Sequence, residues 1–264
     1  MRKLLIIAAG TLIVSCNSNS KTESAVKYSD LKTDNLKGDV TSVEETPYKV
    51  DSATGKIGAM DTCCVDKWDY DENGNYTNPV SKNDKGVITA TSEVFRHPDG
   101  LWKGTKDTKY GKLAFTMDTK VDDKGKYTLA ESTDSTGKRD YYYTDLTQNE
   151  YGQILHWKQF DKDSVFRMEG DNKYDNYLWM GFTGKDSVGK MKSNSTAKYN
   201  DKGEQIEVSN TNVTKDSTTT HVTKYTYDTH DDMGNWTQRT EWNDKGKAVK
   251  ITKRVYTYRN GTKK

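Results

Sequence analysis

The stretch Asp231-Asp-Met-Gly-Asn-Trp-Thr-Gln-Arg-Thr-Glu-Trp-Asn-Asp-Lys-Gly246 contains two copies of one turn formula with a short segment between them. In each copy, Asp or Asn is followed by two residues and then by Gly. The Asp or Asn side chain can bond the local backbone of a type I turn, and Gly accepts the positive φ that follows. The segment between the copies is rich in Thr and Trp, which favour strands. The stretch therefore predicts a β-hairpin unit whose turn ends in a G1 bulge.

The same formula recurs along most of the chain. Its nine copies are Asp71–Gly74, Asn83–Gly86, Asp122–Gly125, Asp134–Gly137, Asn149–Gly152, Asp186–Gly189, Asn200–Gly203, Asp231–Gly234 and Asn243–Gly246. Several copies lie 12 residues apart, which fits one strand and one turn. After Asn200 the pattern predicts four strands, at roughly 205–213, 218–228, 235–242 and 247–258. The predicted fold is all-β, with consecutive antiparallel hairpins that form an open twisted or partly rolled sheet.

The composition excludes a thick aliphatic core. Hydrophobic residues make up 32% of the 264 residues, charged residues make up 30%, and the mean hydropathy is −1.01. A doubly wound α/β enzyme needs continuous Val, Ile and Leu runs for its buried strands, and they are missing here. The chain does have 17 Tyr, 6 Trp and 5 Phe, whereas disordered chains have few aromatic residues. We expect aromatic side chains to supply the core, with the best packing in the aromatic-rich segment 155–180.

The N-terminus has the features of an export signal. Arg2 and Lys3 precede the apolar stretch Leu4–Val14, which is too short to span a bilayer. The following Ser15-Cys16 completes a pattern that resembles a bacterial lipobox, which implies cleavage before Cys16 and acylation of that cysteine. We therefore predict a lipoprotein signal peptide at 1–15, a lipidated Cys16 with a flexible tether at 16–33, and a β-hairpin repeat domain at 34–264.

The predicted lipid anchor sets the expected location and partners. Two or more acyl chains on Cys16 would give stable attachment to a membrane. We expect an outer membrane lipoprotein, and both the periplasmic face and the cell surface stay open. Removal of Arg2 and Lys3 leaves 39 of the 41 basic residues against 39 acidic residues. A neutral domain gives no electrostatic reason to expect nucleic acid as a partner.

Several segments resemble a known family. The run Asp231–Gly246, the preceding Tyr227-Asp228 and the following Ile251–Tyr258 are similar to the YD-type repeats of Bacteroidetes lipoproteins and wall proteins, which are related to rearrangement-hotspot (RHS) repeats. Leu36–Thr46 resembles the opening strand of the same lipoproteins. The resemblance implies an all-β scaffold of hairpins, and it brings no catalytic residues with it.

Adjacent cysteines occur at Cys63 and Cys64. Neighbouring Cα atoms are about 3.8 Å apart, which is shorter than the usual disulfide range. Small semi-buried residues in a strand are the favoured interpretation. A strained bridge between the two in an oxidising compartment is the alternative, and the sequence leaves both open.

The sequence gives little support for metal or catalytic chemistry. Asp69, Asp71 and Asn73 match the first half of a calcium loop, but Val80 stands where the bidentate carboxylate should be. A hairpin turn explains the same residues. The Gly-x-Ser-x-Gly elbow of many hydrolases is absent from the sequence. We therefore expect no cofactor, no metal and no enzymatic activity.

Aromatic residues on predicted strands are the candidate binding residues. Trp236 and Trp242 have even spacing and are predicted to share one face, and Tyr225 and Tyr227 repeat this pattern on the preceding strand. Aromatic rings suit protein partners and can stack on sugars. We expect a non-enzymatic envelope scaffold or binding module for a protein or glycan partner. The alternatives are an immunity-type or inhibitor lipoprotein and, with less support, a hydrolase with an unrecognised carboxylate site.

The lipid anchor gives the first prediction. Changing Cys16→Ala should abolish incorporation of a labelled fatty acid and should release the protein from the membrane fraction, because no other anchor is predicted. Metabolic labelling and fractionation measure this. A variant that still fractionates with membranes would show that the lipobox interpretation is wrong.

Overall fold

All nine predicted turns close hairpins in the computed structural model, which describes residues 29–51, 54–259 and 261. In each turn the Gly N–H donates to the carbonyl three residues earlier, at 2.9–3.1 Å. The Gly φ angles lie between +69° and +84°, in the left-handed region that Gly adopts without strain. The Oδ1 atom of the first Asp or Asn accepts the N–H groups two and four residues later. The turn prediction is confirmed.

The described residues contain one short helix and a series of strands. They are α1 (Asp30–Thr33), β1 (Val40–Val50), β2 (Ile57–Met60), β3 (Cys63–Asp69), β4 (Val80–Asn83), β5 (Ile88–Arg96), β6 (Trp102–Lys109), β7 (Lys112–Val121), β8 (Tyr127–Asp134), β9 (Arg139–Gln148), β10 (Ile154–Asp161), β11 (Phe166–Asp175), β12 (Leu178–Lys185), β13 (Met191–Tyr199), β14 (Gln205–Val213), β15 (Thr218–His230), β16 (Trp236–Trp242) and β17 (Ala248–Tyr258). The last four match the predicted strands closely, and the all-β prediction is confirmed.

The sheet is closed, so the prediction of an open or partly rolled sheet is wrong. Each strand from β3 to β17 pairs with the next one antiparallel, and β17 then pairs with β1 from Val40↔Tyr258 to Lys49↔Lys250. β1 also pairs with β3, which completes the ring. β2 lies beside the far end of β1 only. The result is a barrel of 16 antiparallel strands.

The junction between the first and last strands is also the best packed region. Val40, Val43 and Tyr256 are fully buried there, and Tyr70 and Tyr258 pack with them. The prediction that segment 155–180 is packed best is therefore wrong. Closure removes two edge strands whose unpaired backbone groups would otherwise invite association with other chains. Turn patterns describe only neighbouring strands, so they cannot reveal a pairing between the two ends of the chain.

The two faces of the barrel wall differ in character. On the inner face, Trp157 stacks with Phe182 at 5.9 Å between ring centroids, over Gly170, where a Cβ atom would collide with both rings. On the outer face, the pairs that flank these residues are charged, and Lys158 lies opposite Glu169. The aromatic side chains that replace an aliphatic core therefore line the lumen.

The two ends of the barrel also differ. We call residues 29–39 the plug segment, because they include α1 and cover one end, which we call the plugged end. The turns at this end are 71–74, 97–100, 122–125, 149–152, 175–178, 200–203 and 231–234. The other end, the open end, carries the turns 83–86, 109–112, 134–137, 161–164, 186–189, 214–217 and 243–246.

The structure also bears on the adjacent cysteines and on the predicted tether. Cys63 and Cys64 are joined by a disulfide bond across a cis peptide bond, so the bridged alternative holds and the favoured unbridged one does not. The predicted tether 16–33 overlaps the described residues only at Ser29–Thr33, which belong to the plug segment. Cys16 and the predicted signal peptide lie outside the described residues.

The contact between plug and barrel gives the second prediction. Asn235 is 3% exposed, and its amide accepts the N–H of Lys37 and donates to the carbonyl of Lys37, both at 2.8 Å. Changing Asn235→Ala leaves buried polar groups without partners, so the free energy of unfolding should fall by about 2–3 kcal/mol. Urea denaturation measures the change.

The matched control is Lys247→Ala, at the equivalent position of a turn at the open end, where the side chain is exposed. It should change the free energy of unfolding by less than about 0.5 kcal/mol. Equal losses for the two variants would contradict the view that the plug segment is held by these hydrogen bonds.

Candidate ligand cavities beneath the plug

The plug segment is fixed by three hairpin turns on one side of the plugged end. The N–H of Leu31 donates to the carbonyl of Gly74 at 2.9 Å, and the side-chain amide of Asn35 donates to the carbonyl of Gly203 at 2.9 Å. Asn235, beside the third turn, holds the backbone of Lys37. Because these contacts use backbone atoms of rigid turns, the plug has a defined position over the lumen.

The residue after the turn Gly distinguishes the two ends. At the plugged end, four turns hold a buried polar residue at this position, namely Asn75, Gln153, Glu204 and Asn235, which are 1–6% exposed, whereas Leu101 is buried and apolar and Lys126 is exposed. At the open end the same position holds exposed residues, namely Val87, Lys138, Val165, Lys190 and Lys247. Buried polar side chains are uncommon and are normally hydrogen-bonded. The sequence shows Asn, Gln or Glu after the turn Gly at these four turns and Val or Lys after it at most of the others, a partial signal for the plugged end.

The first cavity beneath the plug is lined mainly by aromatic and aliphatic side chains, and we call it the aromatic cavity. It has a volume of about 390 Å³. Its lining residues are Asp30, Thr33, Tyr76, Arg96, Trp102, Thr119, Tyr127, Ala130, Leu146, Gly152, Gln153, Ile154 and Tyr174. Tyr76, Trp102, Tyr127 and Ile154 each stand two residues after a turn Gly at the plugged end. The turn spacing thus places large side chains in one layer around the lumen.

A buried ion pair forms part of the wall of the aromatic cavity. Arg96 donates to Asp30, which is 2% exposed, and Asp30 also accepts the backbone N–H of Tyr76 at 3.0 Å. Burial, together with the nearby Asp30 carboxylate, raises the pKa of Tyr76 to about 12. The phenol of Tyr76 is therefore neutral at physiological pH, and the pair ties the plug helix to β5.

The second cavity lies on the other side of the plug, and we call it the arginine cavity. Its volume is about 220 Å³. It is lined by Thr33, Asp34, Asn35, Leu36, Lys37, Leu178, Tyr199, Gly203, Glu204, Gln205, Tyr227, Gly234, Asn235, Trp236, Arg239 and Arg254. Thr33 borders both cavities, so the plug helix separates them.

Ion pairs and hydrogen bonds hold most of the charged groups around the arginine cavity. Arg254 binds Glu45 at 2.7 Å and lies over the ring of Trp236 at 4.0 Å. Glu204 accepts hydrogen bonds from His230 and from the side-chain amide of Asn200. These groups are satisfied within the protein.

Two other groups of this cavity have a different environment. Asp34 accepts the hydroxyl of Tyr70 at 2.6 Å, and loss of water around its carboxyl raises the pKa of that group, although other parts of the residue are exposed. The guanidinium of Arg239 lies over Tyr225 at 4.7 Å and over Trp236 at 4.8 Å. Arg239 forms no ion pair with a carboxylate among the residues that the structure describes.

The candidate binding residues from the sequence are only partly brought together. Trp236, Tyr225 and Tyr227 surround Arg239 inside the lumen, with Tyr227 and Trp236 at 5.8 Å between centroids. Trp242 lies on the outer face, where its indole donates to the hydroxyl of Thr226 at 3.0 Å. The predicted common face of the two tryptophans is wrong, because register shifts in the pairing of β15 with β16 turn Trp236 inward.

The predicted calcium-loop residues serve the hairpin turn. Asp71 Oδ1 accepts the N–H groups of Asn73 and Asn75 at 2.8 and 2.9 Å. Asp69 pairs with Lys67 at 3.1 Å. Across residues 29–51, 54–259 and 261, no group of three or more His, Cys, Asp or Glu side chains is arranged to hold a metal ion.

Sequence reasoning missed the plug and the arginines of the lumen. Arg239 and Arg254 look like ordinary outward charges in a polar, Lys-rich strand pattern. The signal that could have identified Arg254 is its position in strand 247–258, where it shares the alternation of Tyr256 and Tyr258. For Arg239, the bulged register of β16 hides the same relation to Trp236.

Comparison with known proteins supports the fold. No family model matches the chain, and no curated protein matches it. The structure is similar to that of a porin-like protein from Bacteroides uniformis ATCC 8492, with a TM-score of 0.51 and 14% identity over 82% of this chain and 97% of that chain. The similarity at this level of identity concerns the fold, a closed antiparallel barrel.

Segments of larger toxin assemblies also align. One belongs to the TcdB2-TccC3-TEV structure, with a TM-score of 0.19 and 11% identity over 77% of this chain and 15% of that chain. Another belongs to the Photorhabdus luminescens Tc holotoxin pore, with a TM-score of 0.19 and 10% identity over 77% of this chain and 15% of that chain. Those TM-scores do not indicate a shared fold.

Within the described part of the chain, no helix has both the length and the apolar character needed to cross a bilayer.

Asp34 gives the third prediction. Folding raises the pKa of this carboxyl above its value in the unfolded chain, which is about 3.9. As pH rises between these two pKa values, the unfolded chain releases the proton first, so the free energy of unfolding of the wild type falls. The Asp34→Asn variant keeps an acceptor for Tyr70 and cannot ionise. Its free energy of unfolding relative to the wild type should therefore increase across this window and level off above it.

Urea denaturation from pH 3.5 to pH 8 measures this difference. The control is Asp244→Asn in an exposed turn, for which the difference should stay nearly constant. A relative stability of Asp34→Asn that falls as pH rises would contradict the burial argument.

Proposed function

We propose that the protein is a non-enzymatic binding module of the bacterial envelope and that the aromatic cavity holds a glycan. The observation that carries the proposal is the composition of this cavity. Tyr76, Trp102, Tyr127 and Tyr174 give it several ring faces. The Gln153 amide and the Thr119 hydroxyl also border it, held in place by hydrogen bonds to backbone carbonyls. Rings of this kind stack on the apolar faces of sugars, and polar groups between them fix the orientation of a ligand.

The size of the cavity supports a small ligand. Pockets that bind small molecules usually measure about 300–1,000 Å³ and are lined mainly by hydrophobic and aromatic side chains. The aromatic cavity, at about 390 Å³, falls at the lower end of this range. A short saccharide is a better match for this volume than a protein segment of several residues.

The chemistry of the lining supports binding without turnover. Among the described residues that line the aromatic cavity, the one carboxylate is Asp30, and Arg96 binds it. Glycoside hydrolysis in most families needs two carboxyl groups that flank the scissile bond. Asp30 alone, in an ion pair, does not provide that arrangement.

The outer face of the barrel supports a position beside the bilayer. A barrel that spans a membrane presents an apolar band to lipid, and each Lys or Arg at the midplane costs about 2–4 kcal/mol. Here Asp171 pairs with His156 and with Lys185 across three adjacent strands, at 2.8 Å in both cases. Lys158 pairs with Asp145, and Lys198 pairs with Glu207, on the same outer face.

An outer membrane location is supported by the porin-like fold and by the lipobox-like sequence. The similar Bacteroides uniformis protein is described as porin-like. The resemblance to YD-type repeat lipoproteins supports the same compartment. We propose that acyl chains on Cys16 hold the charged barrel against the outer membrane, with the lumen available to ligands outside the bilayer.

The fourth prediction tests the aromatic cavity. Purified protein is applied to a glycan array, and the affinity for the strongest ligand is then measured by titration calorimetry. Changing Trp102→Leu removes a ring from the cavity and keeps an apolar side chain of the lumen, so the affinity should fall at least tenfold. The expectation rests on the concentration of binding energy in aromatic anchors.

The control is Trp242→Leu, which removes an aromatic ring from the outer face and should leave the affinity unchanged. Circular dichroism confirms that both variants fold. No glycan above background, or equal losses in both variants, would refute the proposed site.

A further inference from the structure

We infer that the arginine cavity is a separate binding site for a small ligand that carries one carboxylate group, with Arg239 as the residue that binds it. This inference goes beyond the proposed glycan site, because the plug helix lies between the two cavities. It rests on the charges, the ring contacts and the polar contacts that line the arginine cavity.

The charged groups around the arginine cavity differ in their partners. Arg254 pairs with Glu45, and the Glu204 carboxylate accepts hydrogen bonds from His230 and from Asn200. Of the two lining arginines, Arg239 is the one without a carboxylate partner in the part of the chain that the structure describes. A ligand that carries one carboxylate group would supply that partner.

The environment of Arg239 orients its guanidinium for such a ligand. Its Cζ atom lies over the rings of Tyr225 and Trp236, at 4.7 and 4.8 Å from the ring centroids, so two aromatic side chains hold it in place. Donors around the rim of the guanidinium plane are the atoms that bind a carboxylate with two parallel hydrogen bonds. Arg239 contacts the hydroxyl of Tyr227 and forms no ion pair with a carboxylate of the described residues, so its remaining donors can bind a ligand carboxylate.

The remaining contacts of the cavity favour a compact ring compound. The ring of Trp236 is 9% exposed and borders the cavity together with Tyr227. The hydroxyl of Tyr227 is committed to the carbonyl of Gln205 at 2.8 Å, which holds this ring in place. A sugar acid of one ring combines the carboxylate that Arg239 binds with a face that Trp236 can contact.

The test uses titration calorimetry on the purified protein with sodium galacturonate, its neutral counterpart galactose, and inorganic phosphate. We expect saturable binding of galacturonate that is at least tenfold tighter than that of galactose and of phosphate. The Arg239→Gln variant should weaken the binding of galacturonate at least tenfold. Arg239→Lys keeps the charge and most of the apolar stem, and its affinity for galacturonate should lie between those of the wild type and Arg239→Gln.

Two controls distinguish the arginine cavity from the charged outer face and from the aromatic cavity. Arg139→Gln removes an exposed arginine that pairs with Glu131 on the outer face, and it should leave galacturonate binding unchanged. Trp102→Leu alters only the aromatic cavity and should also leave it unchanged, so the failure of the glycan proposal would not affect this result.

Three results would overturn the inference. The first is the absence of saturable galacturonate binding to the wild-type protein. The second is binding that Arg239→Gln and Arg239→Lys do not weaken although circular dichroism shows both folded. The third is loss of binding in Trp102→Leu with retention in Arg239→Gln, which would assign the acid to the aromatic cavity.

Discussion

Every other feature of the molecule depends on the pairing of its first strand with its last. β1 and β17 meet over nearly their whole length, and their inner faces contribute the fully buried residues Val40, Val43 and Tyr256. Without this junction the hairpins would form a long sheet with two unpaired edges, which favours association between chains. Because the junction closes the barrel, the inward aromatic side chains face a shared lumen, and the plug segment can cover one end of it.

The closed barrel also explains how a chain with few aliphatic residues folds. A curved sheet that encloses its own inner face needs apolar side chains only on that face, and each aromatic ring buries a large area. The outer face is free to carry Lys, Asp, Glu and Thr, which accounts for the strongly negative mean hydropathy. The outer face carries ion pairs such as Lys158 with Asp145, whereas a barrel that spans a membrane presents an apolar band to the lipid.

The plug gives the barrel its functional asymmetry. Turns of one type occur at both ends, and at four of the plugged-end turns the residue after the Gly is a buried polar one, namely Asn75, Gln153, Glu204 or Asn235. The plug helix divides the space beneath it into two cavities of different chemistry, one aromatic and one lined by arginines. A small number of sequence positions therefore converts a repetitive scaffold into a protein with distinct candidate sites.

The sequence predicts the local structure well and the long-range structure poorly. The turn at Asp231–Gly234 and strand β17 follow from residue chemistry, because the backbone requirements of a type I turn and the alternation of a strand are local. The β1–β17 junction joins residues about two hundred positions apart, and no local pattern encodes it. The even spacing of Trp236 and Trp242 would place them on the same face if the strand were regular. A bulge in β16 reverses the alternation, and such bulges have no reliable sequence signal.

The most direct test of the closed barrel is a cross-link between β1 and β17 on the outer face. Thr46 and Lys253 are directly paired, so a protein with Thr46→Cys and Lys253→Cys should form an intramolecular disulfide under mild oxidation, detected by mass spectrometry of its peptides. Thr46→Cys combined with Lys198→Cys, on β13, should form none. A barrel closed by β1 and β17 predicts the first bridge in nearly every molecule, and its absence, with a folded protein, would contradict closure.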